Sequence, residues 1–213
     1  MPPSPGKFIT LEGGEGTGKS TQARLLQAAL RQRGLEVALT REPGGAPGAE
    51  LIRKLLVEGD AARWDAMSEA LLLFAARRVH LRETIIPALN RGEWVVCDRF
   101  TDSTFAYQGD AGGLGRGVIE RLSAIALGKD SPVPDVTLVL DIPVELGLAR
   151  ANSRGGTENR FESLGTEFHQ HLRDSFLQIA KSEPVRCALI DATPPPETVA
   201  ADIIAVLASR LGI

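Results

Sequence analysis

The chain has 213 residues, a net charge of −3, 43% apolar residues and 24% charged residues. Such composition is ordinary for a globular protein, which excludes disorder as a whole-chain description, and the length suits a single domain able to bury a core. A slightly acidic chain lacks the basic face a general nucleic-acid binder needs, and no apolar run approaches the roughly 18 residues of a membrane span, so neither nucleic acid nor a membrane is expected as a partner.

In chain order, Met1-Pro2-Pro3-Ser4-Pro5-Gly6-Lys7 carries no apolar signal core, which gives a cytoplasmic expectation. Phe8-Ile9-Thr10-Leu11-Glu12 reads as a strand, and residues 19–33 as a helix with Ala23, Leu26, Ala29 and Leu30 at helical spacing, closed by Gly34. Residues 35–40 form a second strand, broken by Arg41-Glu42-Pro43-Gly44-Gly45. Helices are expected over 49–57 and 68–89, strands over 94–98, 135–141 and 185–191, and a terminal helix after Pro196. Strand–helix alternation of this kind predicts an α/β fold, a parallel five-stranded sheet flanked by helices. Ligands of such sheets bind beyond the carboxyl ends of the strands, which points to residues 13–21, 41–45, 98–99, the chain from Pro143 and residues 191–193. Cys97 and Cys187 are too few for a disulfide scaffold or a cysteine zinc site and read as buried thiols, while His169 and His171 read as exposed helix residues.

Gly13-Gly14-Glu15-Gly16-Thr17-Gly18-Lys19-Ser20 fits G-x-x-x-x-G-K-[ST]. Glycines let backbone amides turn inward around phosphate oxygens, Lys19 reaches the β- and γ-phosphates, Ser20 offers a hydroxyl to Mg²⁺, and the following helix aims its positive end at the anion. With this composition roughly 0.006 chance matches are expected, so nucleoside-triphosphate binding is the reading. Glu15 inside the loop requires a compensating cation. Asp98 ends an apolar strand, where a carboxylate holds Mg²⁺ or its waters as readily as it makes a surface ion pair. Arg99 follows it at once, suited to gripping a phosphate. Phe74 and Arg78, four apart on a helix, share a face.

Four segments together resemble the bacterial-type thymidylate kinases over nearly the whole chain: residues 9–21, 40–45, Leu73-Phe74-Ala75-Ala76-Arg77-Arg78, and Asp98-Arg99-Phe100 with Ser103 and Ala106-Tyr107-Gln108-Gly109. The resemblance implies a P-loop nucleoside monophosphate kinase fold, transfer of the ATP γ-phosphoryl group to dTMP in dTTP biosynthesis, Mg²⁺ as cofactor, and a homodimer. It also assigns roles. The donor loop is Gly13, Gly14, Glu15, Gly16, Thr17, Gly18, Lys19, Ser20 and Thr21, with Arg150 stacking on adenine. Ser20 and Asp98 hold the metal. Arg53 and Arg99 take the acceptor phosphate, Phe74 stacks on thymine, Arg78 reads its carbonyl, Ser103, Thr104 and Gln108 line the site, and Tyr107 crowds the 2′ position. Lys19, Arg99 and Arg154 carry the transfer, and Glu15 lies near the sugar and the metal. Residues 151–161 form the lid, with Arg150, Arg154 and Arg160 in or beside it; Arg77 points elsewhere. The family usually has Asp-Arg before Phe-Glu, where this chain has Asn159-Arg160, and residues 110–117 form a longer Gly-rich stretch than is usual.

Two other readings compete: another nucleoside monophosphate kinase, and a GTPase-like switch. Asp110-Ala111-Gly112-Gly113 mimics D-x-x-G but lies well past its strand, and Gly128-Lys129-Asp130 lacks the Asn of N-K-x-D.

Overall fold

Five short runs of aliphatic and β-branched residues make one sheet: β1 (Phe8–Glu12), β2 (Val37–Arg41), β3 (Trp94–Asp98), β4 (Val136–Asp141) and β5 (Cys187–Asp191). The computed structural model describes residues 6–60, 63–153 and 164–213. All neighbouring strands pair in parallel, in the order β2-β3-β1-β4-β5. The central strand β1 is buried at every position, as expected for a strand covered on both faces.

The connections are α1 (Lys19–Gln32), α2 (Pro47–Val57), α3 (Ala66–His80), α4 (Ile86–Asn90), α5 (Thr101–Thr104), α6 (Arg116–Leu127), α7 (Val144–Asn152), α8 (Thr166–Ser182) and α9 (Pro196–Leu211). Strand residues alternate between two helical layers. Ile9, Leu11, Val96, Leu138 and Leu140 pack with Leu26 and Leu30 of α1 and with Val199 and Ile203 of α9. Phe8, Val95 and Cys97 face the other way, onto Phe74, Ile85 and Ile119. The same alternation sends Thr10 and Glu12 to that second side. Thr10 and Thr137, register partners across β1 and β4, join their hydroxyls there at 2.7 Å.

Local chemistry accounts for the boundaries that differ from the periodicity. Residues 68–89 do not form one helix: α3 passes into a π-helical turn at Leu81–Ile85 before α4. Pro87 has no N–H and crowds the carbonyl four residues before it, so a wider turn relieves the helix there. Strand β2 starts at Val37 because Leu35 still belongs to the end of α1. Its N–H donates to Leu30 O and that of Gly34 (φ 80°) to Arg31 O, the glycine stop expected at that position. Helix α2 begins at Pro47, whose missing N–H costs nothing in a first turn. Strand β5 begins at Cys187, after a turn in which the Cys187 N–H donates to Glu183 O. A second π-helical stretch, Phe105–Ala111, continues α5, so much of the Gly-rich region 110–117 is a helix-to-helix junction rather than a long loop.

Candidate active site

The loop between β1 and α1 holds its shape through glycine. Gly13, Gly16 and Gly18 have φ of 135°, 70° and 88°, conformations that cost other residues strain. Gly16 packs backbone to backbone on α7, where a Cβ would fall 1.9 Å from Gly147 O. Lys19, the first residue of α1, is buried and turns its ammonium inward, donating to Gly14 O (2.7 Å), Gly13 O (3.1 Å) and Thr17 Oγ1 (3.3 Å). Burial and the neighbouring Arg99 lower its pKa to about 8, against the pull of Glu15, Asp98 and Glu12. Ser20 Oγ donates to Asp98 Oδ2, which ties the start of α1 to the end of β3.

Arg99, one residue past β3, has φ 69° and is the only non-glycine with positive φ among the described residues. Its fork spans two elements. One terminal nitrogen donates to Gly13 O (3.1 Å) and Ser103 Oγ (3.2 Å), the other to Glu15 Oε1 (3.0 Å) and Tyr107 OH (2.9 Å). Its guanidinium also sits 4.9 Å from the Tyr107 ring centroid. The cation that Glu15 requires is therefore Arg99. Burial opposes the Glu15 charge, but Arg99, Lys19 and the 2.6 Å bond from Tyr107 OH hold its carboxyl down at about 2. Burial pushes the Tyr107 hydroxyl well up. Burial also works against the Arg99 charge, yet Tyr107 and the carboxylates of Glu15, Asp98 and Glu12 outweigh it and keep the guanidinium protonated. The result is a half-buried cluster of opposed charges at the mouth of the phosphate loop.

Glu12 is not among the residues that sequence motifs single out, yet it shapes this corner. Fully buried at the end of β1, it accepts the Phe100 N–H (2.8 Å) and the Ser103 hydroxyl (2.6 Å). Burial, helped by Asp102, raises its carboxyl to about 7. A second missed group is Glu42, which accepts Arg77 Nε (2.6 Å) and His80 Nδ1 (3.0 Å). The signal for both is period-two alternation, which puts a carboxylate at each strand end on the α3 side of the sheet.

The other expected site residues are spread over several elements. Ser103, Tyr107 and Glu15 join Arg99. Thr104 and Gln108 are buried on the next turns: Thr104 Oγ1 accepts from Arg77, and Gln108 Nε2 donates to Glu69 Oε2 (2.8 Å). Phe74 is 2% exposed and carries the Arg77 guanidinium 5.2 Å from its centroid, while Arg53 donates to Pro43 O (2.7 Å) in the loop after β2. Arg78 is exposed and donates to Leu127 O (3.3 Å) at the end of α6, so it does not join the Arg99 cluster. Of the positions three and four beyond Phe74, Arg77 is the one turned inward. Arg150 donates to Ala192 O (2.8 Å) and Thr193 O (3.0 Å), linking α7 to the chain after β5, and Thr21 is exposed on α1. Arg154 and Arg160, and with them most of the 151–161 segment, lie outside the described residues.

Two further expectations meet the structure. Both cysteines are buried free thiols, as read. His169, in contrast, is not exposed: it is 4% accessible, because it lies three residues before Leu172 on the α8 stripe that continues through Phe176 and Ile179. With Glu15, Thr17, Asp141, Gly147 and Arg173 it lines a small open pocket beside the loop. His171 is exposed as expected.

A parallel sheet in this order, a phosphate loop after its central strand and an arginine from the adjacent strand end bonded to that loop define a P-loop nucleoside monophosphate kinase. The chain belongs to the thymidylate kinase family, whose model, described as thymidylate kinase, matches residues 11–203. The thymidylate kinase of Rhizorhabdus wittichii is 53% identical over 208 residues, covering 97% of this chain and 99% of that one. That of Caulobacter vibrioides is 52% identical, covering 98% and 99%. The crystal structure of thymidylate kinase from Ehrlichia chaffeensis superposes with a TM-score of 0.77 at 34% identity, over 95% of this chain and all of that one. None of these findings supports the GTPase-like reading, and Asp110 of the D-x-x-G fragment is engaged elsewhere, by Arg116 (2.8 Å) and Ser175.

Proposed function

We propose a division of labour for the family's reaction, in which the enzyme transfers the γ-phosphoryl group of ATP to dTMP, giving dTDP and ADP on the way to dTTP. The observation that carries it is the Arg99 fork, which touches the phosphate loop at Gly13 and Glu15 and the acceptor segment at Ser103 and Tyr107. A cation at that junction lies where two phosphates must approach, and positioning with charge stabilisation is most of what phosphoryl transfer asks of a protein. Gly13, Gly14, Gly16, Thr17, Gly18, Lys19, Ser20 and Thr21 cradle the ATP phosphates, and Arg150 flanks the adenine. Lys19 and Arg99 balance the charge of the transferring group, and Glu15 holds Arg99 in place. The acceptor phosphate goes to Arg53 and Arg99, the base to the wall of Phe74, Arg78, Thr104 and Gln108, and the sugar to Tyr107 and Ser103. The acceptor is already an anion, so a general base is not needed.

Mg²⁺ fits this site. Ser20 Oγ and Asp98 Oδ2 are adjacent hard oxygen donors at the loop mouth, and no group of three or more His, Cys, Asp or Glu among the described residues forms a metal cage. That is the donor set of an ion held largely by phosphates and water, which supplies charge neutralisation on the triphosphate when bound.

We further propose a cytoplasmic homodimer built as a single kinase domain. No described helix is long and apolar enough to cross a membrane. Leu51 and Leu55 on α2 and Met67 and Leu71 on α3 are exposed large apolar side chains, spaced four apart on helices that pack together, which supports a self-association face.

ADP release with Mg·ATP tests the reading, with dTMP, dUMP, ribose TMP, dCMP, dGMP and AMP as acceptors. A strong preference for dTMP is expected. Equal turnover of AMP or dGMP would discard the acceptor-site assignment.

A further inference from the structure

Arg77 has no role in the reaction as described, yet its side chain is tied to three residues of the acceptor half. It is 1% exposed in the last turn of α3. Its Nε donates to Glu42 Oε2 (2.6 Å) in the loop after β2. One terminal nitrogen donates to both Phe100 O (3.0 Å) and Thr104 Oγ1 (3.0 Å), and the guanidinium carbon lies 5.2 Å from the ring centroids of Phe74 and Phe100. Glu42 is fixed in turn. Its N–H donates to Asp98 O (2.9 Å), and its second oxygen pairs with His80 Nδ1 (3.0 Å), whose Nε2 pairs in turn with Thr40 Oγ1 (2.7 Å). One residue on, Pro43 O receives Arg53. A single side chain therefore links the phosphate-side loop of the acceptor site to its base-side wall.

Stability alone does not explain such a pair. A buried ion pair seldom outperforms apolar residues of equal volume, and the other terminal nitrogen of Arg77 is buried without a hydrogen-bond partner, a standing cost. What the pair does is orient. With Arg77 donating to its lone pair, the Thr104 hydroxyl keeps its own proton to donate, and no acceptor among the described residues takes it. A hydroxyl proton left free at that position suits a carbonyl oxygen on a pyrimidine edge and disfavours an exocyclic amine.

We propose that the Glu42–Arg77 pair is a positioning device for acceptor recognition: it holds Thr104 as a donor and fixes the spacing between the Arg53 loop and the Phe74 wall. This rests on the reading of the site as one for a nucleoside monophosphate. Arg77→Lys keeps the charge facing Glu42 but loses the fork. Glu42→Gln keeps the shape and weakens the anchor, and serves if the lysine variant fails to fold. Expected for Arg77→Lys is a KM for dTMP raised about tenfold, a KM for ATP within about twofold of wild type, and a narrowed preference for dTMP over dCMP. Glu42→Gln should shift the same constants in the same direction by about threefold. A folded variant with a lower thermal midpoint but unchanged KM for dTMP and unchanged preference would reduce the pair to a structural brace and overturn the proposal. If wild type instead turned over AMP, the dTMP reading would fail, and Arg77 would be scored by the KM for AMP.

Discussion

Replacing Glu12 by glutamine tests the electrostatics under the site. The folded protein buries this carboxyl completely, and burial with the nearby charge of Asp102 raises its pKa from 4.5 to about 7, although Ser103, Arg99 and the Phe100 N–H favour the anion. In the unfolded chain it ionises near 4.5. Between those two values the unfolded state has released a proton that the folded state still holds, so folding stability falls as pH rises through the window. Fully developed, above about pH 7, the loss is on the order of 3 kcal/mol. The amide of Glu12→Gln would keep a carbonyl for the Phe100 N–H, turn its NH₂ toward the Ser103 oxygen, and carry no titration. Urea unfolding at several pH values from 4.5 to 8, followed by circular dichroism, gives both profiles. Wild type should lose about 3 kcal/mol more than Glu12→Gln across the range, other titrations cancelling in the difference. Parallel profiles would mean that Glu12 is solvated or already ionised in the fold, and the account of the Phe100–Ser103 corner would be wrong.

Glu15 has the opposite sign. Its folded pKa of about 2 lies below the unfolded 4.5, so its contribution is present above 4.5 and is lost as pH falls toward 2. Glu15→Gln should be less stable at pH 7 and show a shallower loss of stability from pH 4.5 to 2 in the same urea assay. Gly16→Ala and Gly14→Ala form a controlled pair. The first places a Cβ 1.9 Å from Gly147 O at φ 70° and should cost more than about 2 kcal/mol, seen as a lowered thermal midpoint. The second meets nothing within 4 Å and should stay within about 0.5 kcal/mol of wild type. Arg99→Lys gives up the fork that serves Gly13, Ser103, Glu15 and Tyr107 at once, and steady-state kinetics should show kcat lowered at least about 100-fold.

How much of this can be read from the chain depends on whether a residue's job is local. The phosphate loop is readable because backbone cradling of phosphate leaves few options at Gly13, Gly18, Lys19 and Ser20, and the stop at Gly34 because a left-handed residue closes a helix by itself. Pro87 is a local signal too, and its effect on the turn before it breaks the helix expected over 68–89. His169 is misplaced when a histidine is treated as polar first, since its spacing to Leu172, Phe176 and Ile179 puts it on the packed stripe. Arg77 is the instructive case. Ala70, Phe74 and Leu81 recur around it at helical intervals and bury it with them, so the inward turn of a charge is written in the pattern. Its partner is not, because Glu42 lies 35 residues earlier on another element, and only the crossover from β2 through α2 to α3 brings the two together. A buried arginine on an apolar stripe must have an anion nearby. The first carboxylate past β2 is Glu42, and strand alternation turns it toward α3. Each half of the pair is thus written locally, the carboxylate by strand alternation and the arginine by the helical stripe, while the crossover that joins them is a property of the fold.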